Sequence, residues 1–137
     1  MVLSMAVEDR LEILVVEDDA VYAEFVASTL RSAGHGATIA PDGATARALA
    51  RAGGIDAVIL DLTLPDESGY DIARALRREL LTQQAVIILL TANMFPERDK
   101  AEAVGIDLVL SKPVEPALVV GMVDHVHARR KKQLDRR

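Results

Sequence analysis

Along the chain, nearly continuous apolar runs alternate with stretches in which apolar positions recur every three or four residues. Leu11 to Val16, Gly36 to Ala40, Ile55 to Leu60, Ala85 to Leu90 and Asp107 to Ser111 are runs of the first kind, most of them rich in Val, Ile and Leu. Such runs read as strands, and the longest as strands buried on both faces of a covered sheet. Between the first two, Val21, Tyr22, Phe25, Val26, Leu30 and Ala33 fall at helical spacing before Gly34, and either Asp18 or Asp19 can cap that helix. Pro41-Asp42-Gly43 turns the chain into an Ala-rich helix over 44 to 52, which Gly53-Gly54 ends. Ser68 to Leu80 reads as a third helix, with Tyr70, Ile72, Ala73, Leu76 and Leu80 mostly on one side. Pro96 suits the first turn of a fourth helix running to about Val104, and Val114 to about Lys132 forms a fifth.

Strand and helix thus alternate five times, with no second apolar block and no internal repeat. That alternation demands parallel strands joined by crossover helices. Right-handed crossovers and helical cover on both faces predict an α/β fold, a doubly wound five-stranded parallel sheet of order 2-1-3-4-5. In that order strands one and three are neighbours, and their C-terminal ends flank the point where the winding reverses.

Polar residues gather at that edge. Glu17-Asp18-Asp19 ends the first strand, Asp61 the third, Thr91 the fourth and Lys112 the fifth. Taken singly, Asp61 is equally a turn residue, Thr91 a helix cap, Lys112 a solvated strand end, and Pro65 and Pro113 simple turn formers. Their joint placement in one crevice favours a functional reading. Two carboxylates about 4 Å apart repel by about 4 kcal/mol at an effective dielectric near 20, so a cation is expected among them. Oxygen ligands without a nearby His suit Mg²⁺ better than Zn²⁺. A metal, a carboxylate nucleophile, a hydroxyl and an ammonium make a phosphoryl-transfer site in which Asp61 is the acceptor.

Composition narrows the setting. At 137 residues the chain is long enough for one domain burying roughly two thirds of its unfolded surface. It has no Cys, which excludes a disulfide scaffold, a thiolate metal site and a cysteine nucleophile, and fits a reducing, cytoplasmic setting. Residues 1–10 form a leader without the basic region of a signal peptide, and no apolar run approaches membrane length. The net charge is −5, but residues 129–137 hold six Lys/Arg and one Asp, a net +5, so the other 128 residues carry −10. A body that acidic argues against direct DNA binding by the domain.

The motifs resemble those of response-regulator receiver domains of two-component signalling over about Glu12 to Arg129. The likeness rests on Ile-Leu-Val-Val-Glu17-Asp18-Asp19, Asp61-Leu-Thr63-Leu-Pro65-Asp-Glu-Ser-Gly69, Leu-Thr91-Ala92 and Lys112-Pro113, four motifs in order at these spacings. It implies a flavodoxin-like fold and a phosphorylatable switch, not an enzyme in its own right, that assists its own phosphorylation and dephosphorylation. A histidine kinase or histidine phosphotransfer protein would donate to Asp61. Mg²⁺ would be held by Asp18, Asp61 and the backbone carbonyl of Thr63, with Glu17 acting through water. Thr91 and Lys112 would bind the phosphoryl oxygens, and the Lys112-Pro113 bond would be cis. One position departs from the pattern: three residues before the Lys, where receivers commonly carry Tyr or Phe, stands Val109. Activation is then expected to be read out through Thr91 and the following loop, or else the face made by the last two helices and strand five responds weakly.

The expected boundaries are a leader 1–10, a receiver domain 11–129 and a basic tail 130–137. The tail is a solvated helix end, a linker toward an output domain of a larger regulator, or a docking arm for an acidic partner. A stand-alone receiver working through protein contacts, as a monomer or weak homodimer, is expected. Met94-Phe95 is a candidate partner contact or a cover for the core. Val119, Val120 and Val123 broaden the apolar stripe of Leu118, Met122 and Val126, either as a partner face or as a helix edge against its neighbour. His125 and His127 do not share a helix face, and His35 is given no role. An Asp-nucleophile phosphohydrolase of the haloacid-dehalogenase-like kind wants a second Asp where Thr63 stands, and a flavin or nucleotide binder wants a phosphate loop where Glu17-Asp18-Asp19 would repel its ligand.

Overall fold

The computed structural model describes residues 10–93 and 97–136. Its elements alternate as β1 (Glu12–Val16), α1 (Ala20–Ser32), β2 (Gly36–Ala40), α2 (Gly43–Ala52), β3 (Ala57–Asp61), α3 (Gly69–Arg78), β4 (Val86–Thr91), α4 (Arg98–Ala103), β5 (Leu108–Ser111) and α5 (Pro116–Asp135). All strand pairs are parallel, and the sheet order is β2-β1-β3-β4-β5. The doubly wound sheet expected from the alternation is the one found.

The strands are apolar throughout because each face of the sheet feeds a separate core. Leu14, Val16, Val58, Leu60, Ile87 and Leu89 point to the side covered by α2, α3 and α4, where they meet Ala46, Ala50, Ile72, Leu76 and Ala101. Ile13, Val15, Ile59, Ile88 and Leu90 point to the side covered by α1 and α5, against Ala23, Val26, Leu30, Val119 and Val123. The two-residue period of a strand therefore splits one continuous run between two cores.

Several faces differ from the expected ones. On α1 the buried side is Ala23, Val26, Ala27 and Leu30, while Val21 is 81% and Phe25 60% exposed. Ala23 and Ala27 bring the helix close to the sheet beside Val26 and Leu30, and Val21 and Phe25 turn outward. Helix α3 ends at Arg78 because Glu79 is extended, which leaves Leu80 outside the helix and 80% exposed. Val119, Val120 and Val123 are the core side of α5 and hence unavailable to a partner, whereas Leu118 is half exposed and Met122 and Val126 lie at the core margin. Met94, Phe95 and Pro96, with the expectations attached to them, fall outside the described residues.

Two ties at the N-terminal edge of the sheet had no sequence signal. His35, buried beside β1, accepts a hydrogen bond at Nδ1 from the Leu11 amide (3.0 Å), so Nε2 carries the proton that faces Asp124 Oδ1 of α5 (3.0 Å). Asp107 accepts from the Ile87 amide (2.8 Å) and from Arg77 Nη2 (3.0 Å), and it pairs with Arg130, whose Nη1 also donates to the carbonyl of Gln84 (2.8 Å). Helix α5 runs unbroken past residue 129, and Arg130 bonds back onto the body of the domain.

Candidate functional site

The site lies at the C-terminal edge of β1, β3, β4 and β5, where the chain leaves each strand with a polar residue. After β1 the backbone must turn into α1, and Asp19 caps that helix: its Oδ1 accepts from the Val21 and Tyr22 amides, both at 3.1 Å. Asp18, the alternative cap, is thereby left exposed at the crevice. Glu17 is buried, with Oε2 accepting from the Asp18 amide (3.1 Å) and Oε1 from Lys112 Nζ (2.7 Å). Asp61, 8% exposed, closes β3 with Oδ1 at 3.4 Å from the same ammonium. Carboxylate oxygens of Glu17, Asp18 and Asp61 all lie within 4.8 Å of one another.

Three carboxylates against one ammonium leave a formal −2 in a partly desolvated crevice. Burial pushes the Glu17 carboxyl above its ordinary 4.5, and the neighbouring Asp61 adds to that more than Lys112 subtracts. Burial pulls the Lys112 ammonium down, but Glu17 and Asp61 together outweigh it and hold the ammonium above its ordinary 10.5. Burial is the larger cause for Glu17 and the two carboxylates for Lys112, and in both the anions around the single ammonium add in the direction observed. An oxygen-only set with that excess, open on the Asp18 side, fits a hard divalent cation such as Mg²⁺ in ligand type and in charge.

Thr91 ends β4, buried, and its Oγ1 accepts from the Asn93 amide (3.0 Å). Its carbonyl accepts from the Lys112 amide (2.7 Å), which joins the ends of β4 and β5. The Lys112-Pro113 bond is cis. Thr63 is exposed in the loop after Asp61, with its amide 3.5 Å from Asp61 Oδ1, at the outer limit of a hydrogen bond. Val109 is buried among the residues facing α2, α3 and α4.

Three further residues, Tyr22, Ser68 and Gly69, shape the site without carrying a candidate role of their own in the sequence. Tyr22 had been read only as part of a helical stripe. Its hydroxyl donates to the Val114 carbonyl (2.8 Å), and its ring lies 5.3 Å from Lys112 Nζ, a cation–π contact that backs the ammonium from the α1 side. Ser68 caps α3 by accepting from the Tyr70 amide (3.1 Å), and Gly69 donates to the Leu62 carbonyl (2.7 Å). A Cβ on Gly69 would stand 2.6 Å from the Asp61 carbonyl oxygen and 2.9 Å from the Leu62 Cα, both backbone atoms that cannot yield cheaply. Gly69→Val is therefore expected to displace the Asp61 segment and lower stability by about 1–3 kcal/mol, read by urea denaturation. An unchanged midpoint would contradict the close approach.

Comparison with known proteins places the chain in a family. A family model described as the response regulator receiver domain matches residues 13–124. The chain belongs to the response-regulator receiver family. Its members are signalling phosphoacceptor domains. The chain is 32% identical over 114 residues to the aerobic respiration control sensor protein ArcB of Escherichia coli K12, covering 82% of this chain and 15% of that protein. It is 40% identical over 102 residues to the probable transcriptional regulatory protein TcrX of Mycobacterium tuberculosis, covering 74% and 43%. It thus spans less than half the length of either relative. Among solved structures it resembles the chemotaxis response regulator CheY4 of Vibrio cholerae, with TM-score 0.80, 29% identity and 85% and 98% of the two chains covered. It likewise resembles the receiver domain of a sensor histidine kinase from Pseudomonas aeruginosa PAO1 (TM-score 0.78, 31% identity, 87% and 98% covered), in which a magnesium ion is coordinated in the active-site cleft. Among the described residues no helix is long and apolar enough to cross a membrane.

Proposed function

We propose that this receiver takes a phosphoryl group onto Asp61 from a phosphohistidine of a histidine kinase or histidine phosphotransfer protein, and passes the change on through protein contacts in the cytoplasm. The observation that carries the reading is the oxygen-only crevice in which Glu17, Asp18 and Asp61 converge on one ammonium. In the transfer, the donor's P–N bond breaks as an Asp61 Oδ–P bond forms, and the imidazole keeps the electron pair and takes up a proton. Asp18, Asp61 and the Thr63 carbonyl would hold Mg²⁺, with Glu17 contributing through water. When bound, that ion offsets the negative charge of the phosphoryl oxygens and of the carboxylates. Lys112 then leaves its shared position between Glu17 and Asp61 to meet a phosphoryl oxygen, and the Thr91 hydroxyl meets another. With Val109 in place of an aromatic, the movement of Thr91 is read out by the loop that follows it.

The test is incubation with a small phosphodonor and Mg²⁺ followed by intact mass. A gain of one phosphoryl group supports the reading, and no gain overturns it. The donor protein is met on α1, whose Val21 and Phe25 are exposed within two turns of Asp19. Phe25→Ala is expected to slow transfer from a phosphorylated donor protein by about tenfold while leaving small-molecule phosphorylation unchanged, since truncating an exposed aromatic anchor costs on the order of 1–2 kcal/mol. Equal slowing with both donors would place Phe25 in the fold of the site and not in docking.

A further inference from the structure

The tip of the loop after Asp61 is fastened to a different helix. Asp66 Oδ1 accepts from the Gly43 amide (2.9 Å) and Oδ2 from the Ala44 amide (3.1 Å), the first two residues of α2. The third amide, of Thr45, is taken by the helix's own cap, Asp42 (2.8 Å). All three leading N–H groups of α2 thus meet carboxylates, two of them from a residue over twenty positions away at the positive end of the helix. The Gly43 amide holds the Asp66 carboxyl below the ordinary carboxylate value. Next to it, Arg47 of α2 grips Glu67 side-on with one edge of its guanidinium: Nε meets Oε2 at 3.1 Å, and Nη2 meets Oε1. The Glu67 side chain lies so close over Gly43 that a Cβ there would collide with it.

The base of the same loop is held separately. Leu62 donates to the Leu90 carbonyl (3.0 Å), Gly69 donates to Leu62, and Thr63 bridges Ser68. Thr63 belongs to that base, three residues before Asp66, and its carbonyl must point into the crevice if it is to serve as a metal ligand. The base fixes where the loop starts and ends, and the contacts to α2 hold its tip, Asp66 and Glu67, from a second side.

We infer that Asp66 and the Arg47–Glu67 pair are positioning residues for Mg²⁺ binding and phosphoryl acceptance, latching the acceptor loop to the N-terminus of α2 so that the Thr63 carbonyl and the Asp61 carboxylate face the same ion. The inference rests on the phosphoacceptor reading above. None of the three residues touches the reacting groups. Their effect is on how often the loop stands in the geometry that binds the ion, so their loss raises the Mg²⁺ concentration needed for a given rate and leaves the rate at saturating Mg²⁺ nearly unchanged.

Calorimetric titration of Mg²⁺ into the unphosphorylated full chain tests this, alongside thermal midpoints and the Mg²⁺ dependence of phosphorylation by phosphoramidate. Asp66→Ala is expected to weaken Mg²⁺ binding by about tenfold, the low end of the range for residues that orient metal ligands. Arg47→Ala and Glu67→Ala should weaken it too, and the exchanged pair Arg47→Glu with Glu67→Arg should regain part of the loss. Arg47→Ala also keeps the test open should Asp66→Ala fail to fold. Affinities indistinguishable from wild type in Asp66→Ala and Arg47→Ala would overturn the inference, as would losses that merely follow the unfolded fraction. A wild-type chain that binds Mg²⁺ but takes up no phosphoryl group would overturn the phosphoacceptor reading instead, while the titration still reports on the latch.

Discussion

An Asp61→Asn chain is expected to take up no phosphoryl group from any donor, while becoming more stable than wild type in the absence of Mg²⁺. The first outcome follows from chemistry. An amide oxygen is too weak a nucleophile to replace the carboxylate, and Glu17, the other buried acid of the crevice, is engaged with Lys112 and the Asp18 amide. The second follows from charge. Asp61 shares one ammonium with Glu17, which is nearer to it at 2.7 Å against 3.4 Å, and Asp18 adds a third negative charge within reach. Removing one anion relieves repulsion that the single cation does not cover, a gain of about 1–4 kcal/mol for charges about 4 Å apart between bulk-water screening and an effective dielectric near 20. Intact mass after incubation with phosphoramidate and Mg²⁺ reads the first outcome, and urea denaturation in chelator reads the second. A phosphoryl group retained by Asp61→Asn would move the acceptor elsewhere. Lower stability would mean that the Lys112 contact outweighs the repulsion, contrary to the larger influence of Asp61 than of Lys112 on the Glu17 carboxyl. Gain of stability with loss of function is the signature of a site held together against its own charge.

Much of this architecture was legible because it is written in local pattern. The strands announce themselves as Val, Ile and Leu runs, and strand ends are where a parallel sheet collects its ligands. Glu17, Asp18, Asp61 and Lys112 meet because each sits immediately at or after a strand end, so the topology alone brings them to one edge. What escaped was phase and partnership. Helical spacing in α1 allowed a face through Val21 and Phe25, and only packing reveals that the sheet prefers the Ala23 and Ala27 side. Choosing between Asp18 and Asp19 as cap needed the backbone, since adjacent acids are equivalent in sequence. His35 looked inert because its partners, Leu11 and Asp124, are 24 and 89 positions away. Asp66 and Glu67 carry no role in the sequence beyond their place in a motif for the same reason: the amides and the Arg47 guanidinium that meet them belong to a helix already left behind.

Lys112→Met is expected to lower the stability of the metal-free domain by about 3 kcal/mol at pH 8, the low end for breaking a buried ion pair by removing one partner. The ammonium lies against both Glu17 and Asp61 and over the Tyr22 ring, and Met keeps a side chain of similar length without the charge. The loss is thus mainly of charge, not of volume. Glu17 makes the effect depend on pH. Its carboxyl is already raised by burial, so the stability that goes with its neutral form is fully present below the ordinary value of 4.5 and is lost as pH rises through the higher folded value. Without Lys112 that folded value rises further, so the deficit of the variant should shrink as the pH is lowered toward 4.5 and widen as it is raised. Mg²⁺ should then stabilise the variant more than wild type, because the ion no longer competes with an ammonium for the same oxygens. At a hundredfold excess over its dissociation constant, ligand binding contributes about 2.7 kcal/mol, enough to recover most of the loss. Stability regained in this way should not bring back normal phosphorylation, since the group that meets the phosphoryl oxygen is still missing. Denaturation midpoints with and without Mg²⁺ at two pH values decide the matter. Equal stability of variant and wild type at pH 8 in chelator would mean that Glu17 and Asp61 tolerate each other without Lys112, and the account of the crevice as an anion excess held by one cation would fall.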